Sequence, residues 1–274
     1  MKQSVRFTKM SGAGNDFILL KPTQNLDLKR LAVRICDRTS GIGADGLIVL
    51  LPSRKADVRM RIINADGSEA EMCGNGVRCL ATYFIHQTGQ RKNSLSIETR
   101  AGQILVKVQG TMVTARLSDP MDYQPDLPLW VNGLKRHVHY IDTGVPHAVV
   151  FVDGIQGMDV ATIGRLIRTH PQFSPRGTNV DFVEQLRPDL IAVRTYERGV
   201  EGETKACGTG SVASAIVSYL KAHPDHSNQR NARMKIKTSG GEILKVSFQI
   251  QEGKPRDVWL TGKVKLIAQG EYYL

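Results

Sequence analysis

The sequence predicts an α+β protein of two pseudo-symmetric domains, each a sheet or barrel-like wrap of strands around one buried central helix. Three observations predict it. The stretches "EMCGNGVRC" around Cys73 and "KACGTGSVA" around Cys207 each set a cysteine against a Gly-x-Gly at the start of a helix-like run. Both runs, "GNGVRCLATYFIHQTG" and "GTGSVASAIVSYLKAH", lack proline and are apolar nearly all round, as a buried helix is. Beyond each lies one hairpin skeleton, I-x-T-x-x-G-x-I-L, starting at Ile97 and again at Ile236.

The other elements repeat in the same order. "SGAGNDFILL" (11–20) is echoed by "DTGVPHAVVFV" (142–152). Asp45 in "GIGADGLIVLL" and Asn179 in "RGTNVDFVEQL" lie equally far before their cysteines. Strand-like "VRMRIINADGSEAEM" leads to Cys73 and "IAVRTYERGVEGETKA" to Cys207, with Glu69 and Glu203 at matching positions. The helical runs stop at Gly89 and near Pro224, and alternating strand pairs follow at 95–108 and 234–248. This organisation places a first domain at residues 1–118 and a second at 119–263, opening on the Pro-rich "DPMDYQPDLPLW". The last strand, 264–274, is expected to return to the first domain.

Composition narrows the class. A chain of 274 residues holds about two domains of ~150 residues. No apolar run approaches the ~20 residues of a membrane span, and no apolar segment follows the basic N-terminus as in a signal peptide. A cytoplasmic protein without a membrane partner is therefore expected. Four cysteines in a chain this long read as thiols, not a disulfide framework. There is no C-x-x-C, Cys73 and Cys79 are too widely spaced for a zinc knuckle, and His137 and His139 stand alone on one strand face, so no metal is expected. Cys36 and Cys79 read as small buried hydrophobes. The net charge of +11 is spread along the chain, densest in "NQRNARMKIK" (228–237), and reads as a solvated basic surface, with nucleic-acid binding as the alternative.

The chemistry follows from the repeated cysteines. A cysteine before a glycine turn can simply be a small packing residue. At equivalent points of two domains that meet face to face, two such cysteines would share one cleft, where ligand sites occur. Unpaired N–H groups and the dipole at a helix start favour an anion, which lowers a thiol's pKa and also suits a substrate carboxylate. Gly74, Gly76, Gly208 and Gly210 would let that carboxylate approach the backbone. Two acid/base groups facing one carbon suit inversion by proton transfer, one thiolate taking the α-proton and one thiol returning a proton to the other face. No lysine stands out as a Schiff base for PLP, so isomerisation without a cofactor is expected. His147 and Glu197, beside glycine turns, are candidates for tuning the thiols. Asn15, Asn64, Asn75 and Asn179 either form turns or grip a ligand's amino or carboxylate group.

At "FTKMSGAGNDF", "NADGSEAEMCGNGVRC", "VPH", "TNVDF" and "YERGVEGETKACGTGS" the chain resembles the diaminopimelate epimerase family, and the similarity runs along essentially its whole length. The resemblance implies PLP-independent interconversion of LL- and meso-2,6-diaminopimelate in lysine and peptidoglycan-precursor synthesis, by a homodimer. On the family pattern Cys73 and Cys207 are the acid/base pair, with Cys73 the proton acceptor in the LL-to-meso direction, and His147 and Glu197 tune them. Asn15, Asn64, Gly74, Asn75, Asn179, Glu197, Arg198, Gly208 and Thr209 fall on its substrate-binding positions.

Three positions differ from many members. Val145 stands where they have Asn, Gly46 where they have Gln, and Ala268 where some have Tyr at the dimer contact. The first two imply that at least one end of the ligand is held differently. They motivate a rival, a related cofactor-free racemase of another amino acid such as proline or histidine. A redox protein pairing Cys73 with Cys207 is the third reading.

Overall fold

The computed structural model describes residues 4–22, 26–89, 92–225 and 230–274. The chain divides into two compact units, Met1–Arg116 with Thr261–Leu274, and Leu117–Leu260.

The first unit contains β1 (Ser4–Gly12), β2 (Asn15–Leu20), α1 (Leu28–Cys36), β3 (Gly46–Leu51), β4 (Val58–Asn64), β5 (Glu69–Ala70), α2 (Gly74–Thr88), β6 (Ser94–Thr99), β7 (Gly102–Gln109) and β8 (Met112–Arg116). The second contains β9 (Met121–Val131), β10 (Leu134–Asp142), β11 (Pro146–Phe151), α3 (Val160–Arg168), β12 (Asn179–Arg187), β13 (Leu190–Glu197), β14 (Gly202–Thr204), α4 (Gly208–Ala222), β15 (Arg230–Thr238) and β16 (Ile243–Gln251). The last strand, β17 (Lys254–Tyr273), starts in the second unit, and its end pairs with β1, from Gly12↔Val264 to Ser4↔Tyr273.

The fold is mixed α and β, and pairing within each unit follows one plan. β2 runs parallel to β3 (Phe17↔Gly46), as β11 does to β12 (His147↔Asn179). β4 runs parallel to β6, as β13 does to β15. Parallel neighbours need a crossover, and a helix supplies each one: α1 and α2 in the first unit, α3 and α4 in the second. The crossover helices α1 and α3 lie outside the repeat read from the sequence. Both are short and amphipathic, capped by Asp27 and Asp159, with α1 burying Leu31, Ala32, Ile35 and Cys36 on one face. The Pro-rich stretch forms much of β9, where a register shift and positive-φ Asp126 fall beside Pro125, while Pro128 stays in register with His137.

The two cysteine-led helices are the buried ones. In α2, Val77, Leu80, Ala81 and Phe84 pack against Ile48, Ile62, Ile97 and Val106. In α4, Val212, Ala213, Ile216 and Val217 have no exposed surface. Each such Val, Leu or Ile contributes about 1.5–3 kcal/mol on burial. Gly89 ends α2 in the left-handed region (φ 64), its N–H on Ile85 O. Cys36 and Cys79 are core residues, 2% and 0% exposed, and burial pushes the Cys36 thiol up to about 12. Of the basic stretch 228–237, the first two residues lie outside the described residues and the rest belongs to β15. Among the described residues no helix is long and apolar enough to cross a membrane.

Candidate active site

Cys73 and Cys207 are the N-caps of α2 and α4, each in extended conformation. Cys73 Sγ accepts from Gly76 N at 3.5 Å, and Cys207 Sγ accepts from Gly210 N at 3.4 Å. The thiol therefore does for each helix what a Ser or Asp cap does elsewhere, engaging one otherwise unpaired N–H. The matched glutamates brace the approach to each cysteine. Glu69 accepts two bonds from Arg61, at 2.9 and 3.0 Å, joining β5 to β4. Glu203 accepts two from Arg194, at 2.8 and 2.7 Å, joining β14 to β13.

The glycines of the two motifs separate into different roles. A Cβ at Gly74 would meet nothing within 4 Å, so this position opens the backbone to an incoming group. At Gly76 it would lie 2.9 Å from Ile48 Cδ1, and at Gly210 it would lie 2.3 Å from Asp181 Oδ1. The expectation that all four glycines admit a carboxylate is corrected for these two: Gly76 and Gly210 make room for the protein's own side chains.

In the first unit a chain of polar side chains runs from the interior to the surface. Arg78, fully buried, donates from Nη2 to Asn75 Oδ1 at 2.6 Å. Asn75 Nδ2 donates to Asn15 Oδ1 at 2.5 Å, and Asn15 Nδ2 donates to Asp45 Oδ2 at 3.0 Å. Arg38 completes it, donating to Asp45 Oδ1 at 2.7 Å and to Asp16 Oδ1 at 2.8 Å. A guanidinium only donates and a carboxylate only accepts, so the two ends fix both amide orientations. Each asparagine keeps one amide hydrogen beyond this chain. Asn64, at the end of β4, donates to Ser68 Oγ at 2.9 Å and serves the turn there.

The second unit surrounds its thiol differently. His147 and Asp181 are fully buried, with His147 Nδ1 2.7 Å from Asp181 Oδ2. Thr195 Oγ1 donates to Asp181 Oδ1 at 2.7 Å. Asn179 joins the start of β11 to the turn after β13, donating to Pro146 O at 3.0 Å and accepting from Arg198 N at 2.8 Å. Thr209 Oγ1 lies 3.4 Å from Cys207 Sγ, and Thr209 O accepts from Thr143 Oγ1 at 3.2 Å. Gly208 is the first residue of α4. Glu197 ends β13, and burial raises its carboxyl above the usual range, with the Asp181 carboxylate acting in the same direction.

The expectation of a thiol pKa lowered by the helix start is corrected at Cys207. Burial raises it well above the ordinary value, and the Glu197 and Asp181 carboxylates add to the rise. The bonds from Gly210 N–H and Thr209 oppose this without overcoming it. Desolvation outweighs the dipole because Cys207 is buried, with 8% of the residue exposed.

Sequence reasoning passed over Asp181, Arg38 and Arg78, and marked Asp45 only as the repeat counterpart of Asn179. Of the first three only Asp181 left a signal, as an acidic residue in "TNVDF" at an inward-facing strand position. At Gly46, the first residue of β3, a Cβ would lie 2.9 Å from Ile63 O, so a glutamine there would require β3 and β4 to shift. Val145 is half-buried in the turn before β11, its O accepting from Thr143 N at 3.1 Å.

The fold is one found in several solved structures. A PhzF-family phenazine biosynthesis protein from Bacillus anthracis matches with a TM-score of 0.74 at 16% identity, over 99% of this chain and 100% of that one. A hydroxyproline epimerase from Agrobacterium vitis, solved with trans-4-hydroxy-L-proline, matches with a TM-score of 0.74 at 14% identity, over 100% and 94%. The fold class is thus the mixed α/β one of these proteins. Sequence is more specific. The family described as Diaminopimelate epimerase matches residues 7–117 and 139–267. The diaminopimelate epimerase of Carboxydothermus hydrogenoformans is 40% identical over 287 residues, 98% of this chain and 100% of that one. That of Caldanaerobacter subterraneus subsp. tengcongensis is 39% identical over 284 residues, 97% and 99%. This chain belongs to the diaminopimelate epimerase family, whose members are isomerases.

Proposed function

We propose that this protein interconverts LL- and meso-2,6-diaminopimelate by two-base proton transfer at one α-carbon. The observation that carries this is the pair of cysteine-capped helices, α2 and α4, in a chain of this family. In the LL-to-meso direction the Cys73 thiolate takes the α-proton, and the Cys207 thiol gives a proton to the opposite face of the carbanion. The S–H bond formed at Cys73 balances the one broken at Cys207. A Cys207 that burial keeps protonated suits the donor role. The opposite direction exchanges the two roles.

The carbanion needs stabilisation, and in this reading oriented backbone N–H groups at Gly74 and Gly208 supply it, in a site that excludes water. The free space at Gly74 supports that approach. The second amide hydrogens of Asn15 and Asn75, together with Asn64, Asn179, Arg198 and Thr209, hold the amino and carboxylate groups. His147 and Glu197 tune the thiols. The enzyme acts on a small molecule, and a cytoplasmic homodimer is part of the same reading.

Incubation with LL-diaminopimelate in D2O, with reductant and no added PLP, tests it. The expected result is α-deuteration together with formation of the meso isomer. Exchange into proline or histidine with none into diaminopimelate would overturn the proposal in favour of the racemase reading that Val145 and Gly46 motivate.

A further inference from the structure

Next to the start of α4 lies a buried carboxylate for which the proton-transfer scheme above has no role. Asp181 projects from β12 with no solvent exposure. Its Oδ2 meets His147 Nδ1 on β11, and its Oδ1 accepts from Thr195 Oγ1 on β13, both at 2.7 Å. The same Oδ1 faces Gly210 in the first turn of α4, so closely that a Cβ there would lie 2.3 Å away. Three elements thus converge on one carboxylate, and the fourth, α4, carries Cys207 three residues before Gly210.

An ionised carboxylate accepts and does not donate, so the hydrogen between Asp181 and His147 sits on Nδ1. That leaves Nε2 as the ring nitrogen with the lone pair. Nε2 is buried and has no hydrogen-bond partner among the described residues. Buried polar atoms are nearly always paired, and the exceptions gather where chemistry is done. The imidazole interacts with Asp181 on β12 and with Glu197 at the end of β13, and the same two carboxylates act on Cys207 at the start of α4.

We infer that Asp181 is a positioning residue for the Cys207 half of the reaction, holding His147 as its Nδ1–H tautomer so that Nε2 can take the thiol proton. When Nε2 takes that proton, the S–H bond of Cys207 breaks, an N–H bond forms, and a thiolate and an imidazolium result. Asp181 stabilises the imidazolium through the bond to Nδ1–H. The matching place in the first unit holds no carboxylate: Ile48, which faces Gly76 as Asp181 faces Gly210, pairs with Ile62, and both are buried. Assistance of this kind therefore belongs to Cys207 alone, the thiol that burial and two carboxylates hold protonated. The inference rests on the proposed two-thiol reaction.

The test combines histidine-15N NMR of the whole protein with kinetics of Asp181→Asn. Wild-type His147 should show a protonated Nδ1 and an unprotonated Nε2. Asp181→Asn should lose that single tautomer, lower kcat by about 10²-fold and leave KM within roughly threefold. Thr195→Val, which removes the other bond to the carboxylate but keeps the carboxylate, should retain the wild-type His147 signal. A wild-type His147 protonated at Nε2 would overturn the inference even if Asp181→Asn fails to fold, as would an Asp181→Asn enzyme with unchanged kcat. A wild-type enzyme inactive on diaminopimelate would instead sink the proposed function, whatever the tautomer.

Discussion

Replacing Gly210 by Ala puts a methyl group where Asp181 already is. The new Cβ would lie 2.3 Å from Oδ1, 3.1 Å from Cγ and 3.3 Å from Oδ2. Relief to normal contact needs about 1 Å of movement. The carboxylate cannot retreat that far and keep both of its 2.7 Å bonds, to His147 and Thr195. Helix α4 cannot retreat either, since Val212, Ala213, Ile216 and Val217 are buried behind the same turn. Losing one hydrogen bond to a buried charged group costs about 1.5–3 kcal/mol, and overpacking alone about 1–3 kcal/mol. The better helix propensity of alanine returns at most about 1 kcal/mol. Gly210→Ala should therefore lose about 2–4 kcal/mol in urea unfolding followed by circular dichroism, and its α-deuteration activity should fall with it. Gly76→Ala is the control, because its Cβ would crowd the terminal methyl of Ile48, at 2.9 Å, which can rotate aside, and would meet Ile62 Cδ1 and Cys73 Cβ at ordinary contact distances of 3.4 and 3.5 Å. Its loss should stay below about 1.5 kcal/mol. A Gly210→Ala protein within about 0.5 kcal/mol of wild type and fully active would refute the steric argument.

Three further outcomes are expected. Cys73→Ser and Cys207→Ser should each fold, by near-UV circular dichroism, yet exchange the α-proton about 10²–10⁴-fold more slowly, and an unfolded variant with nothing else changed would point to a packing role instead. Gly74→Ala should keep or gain stability, since its methyl meets no protein atom, while raising KM, and an unaltered KM would remove Gly74 from the ligand's path. Glu197 has a folded-state pKa raised by burial, so the folded protein holds its proton more tightly than the unfolded chain. Stability must then fall as pH rises from the unfolded carboxyl value, about 4.3, through the raised one. Glu197→Gln should abolish that component and be more stable than wild type at neutral pH while exchanging more slowly, and a lower melting temperature at neutral pH would contradict it.

Much of this architecture was legible because it is written twice. Apolar runs without proline behind Cys73 and Cys207 could only be buried helices, and α2 and α4 are. The glycine in each I-x-T-x-x-G-x-I-L marked a hairpin, and β6–β7 and β15–β16 are the result. Helices α1 and α3 escaped notice because amphipathic nine-residue segments such as "LKRLAVRIC" carry no signal beyond a short apolar face. Within the site, both thiols announced themselves through the repeat, as did the glutamates that brace them. Asp181 left only its inward-facing strand position, and Arg78 left nothing, since a charged residue in an otherwise buried helix looks like any surface charge until its partners are known. The direction of the Cys207 shift was illegible for a related reason. A helix start is visible in sequence, but the burial and the two carboxylates that outweigh it come from β12 and β13.

The side-chain chain from Arg78 to Asp45 has a bearing on how this protein ages. Asparagine slowly hydrolyses to aspartate, a change of one atom, and Asn75 precedes a glycine, where the attacking backbone nitrogen is least hindered. In the folded state both ends of the Asn75 amide are held, and Gly76 N–H is turned toward sulfur. An acid at position 75 would set oxygen against the Asn15 oxygen at a spacing that now holds a hydrogen bond. The polarity imposed by a donor at one end and an acceptor at the other thus guards the amides that define it, for as long as the helix stays folded.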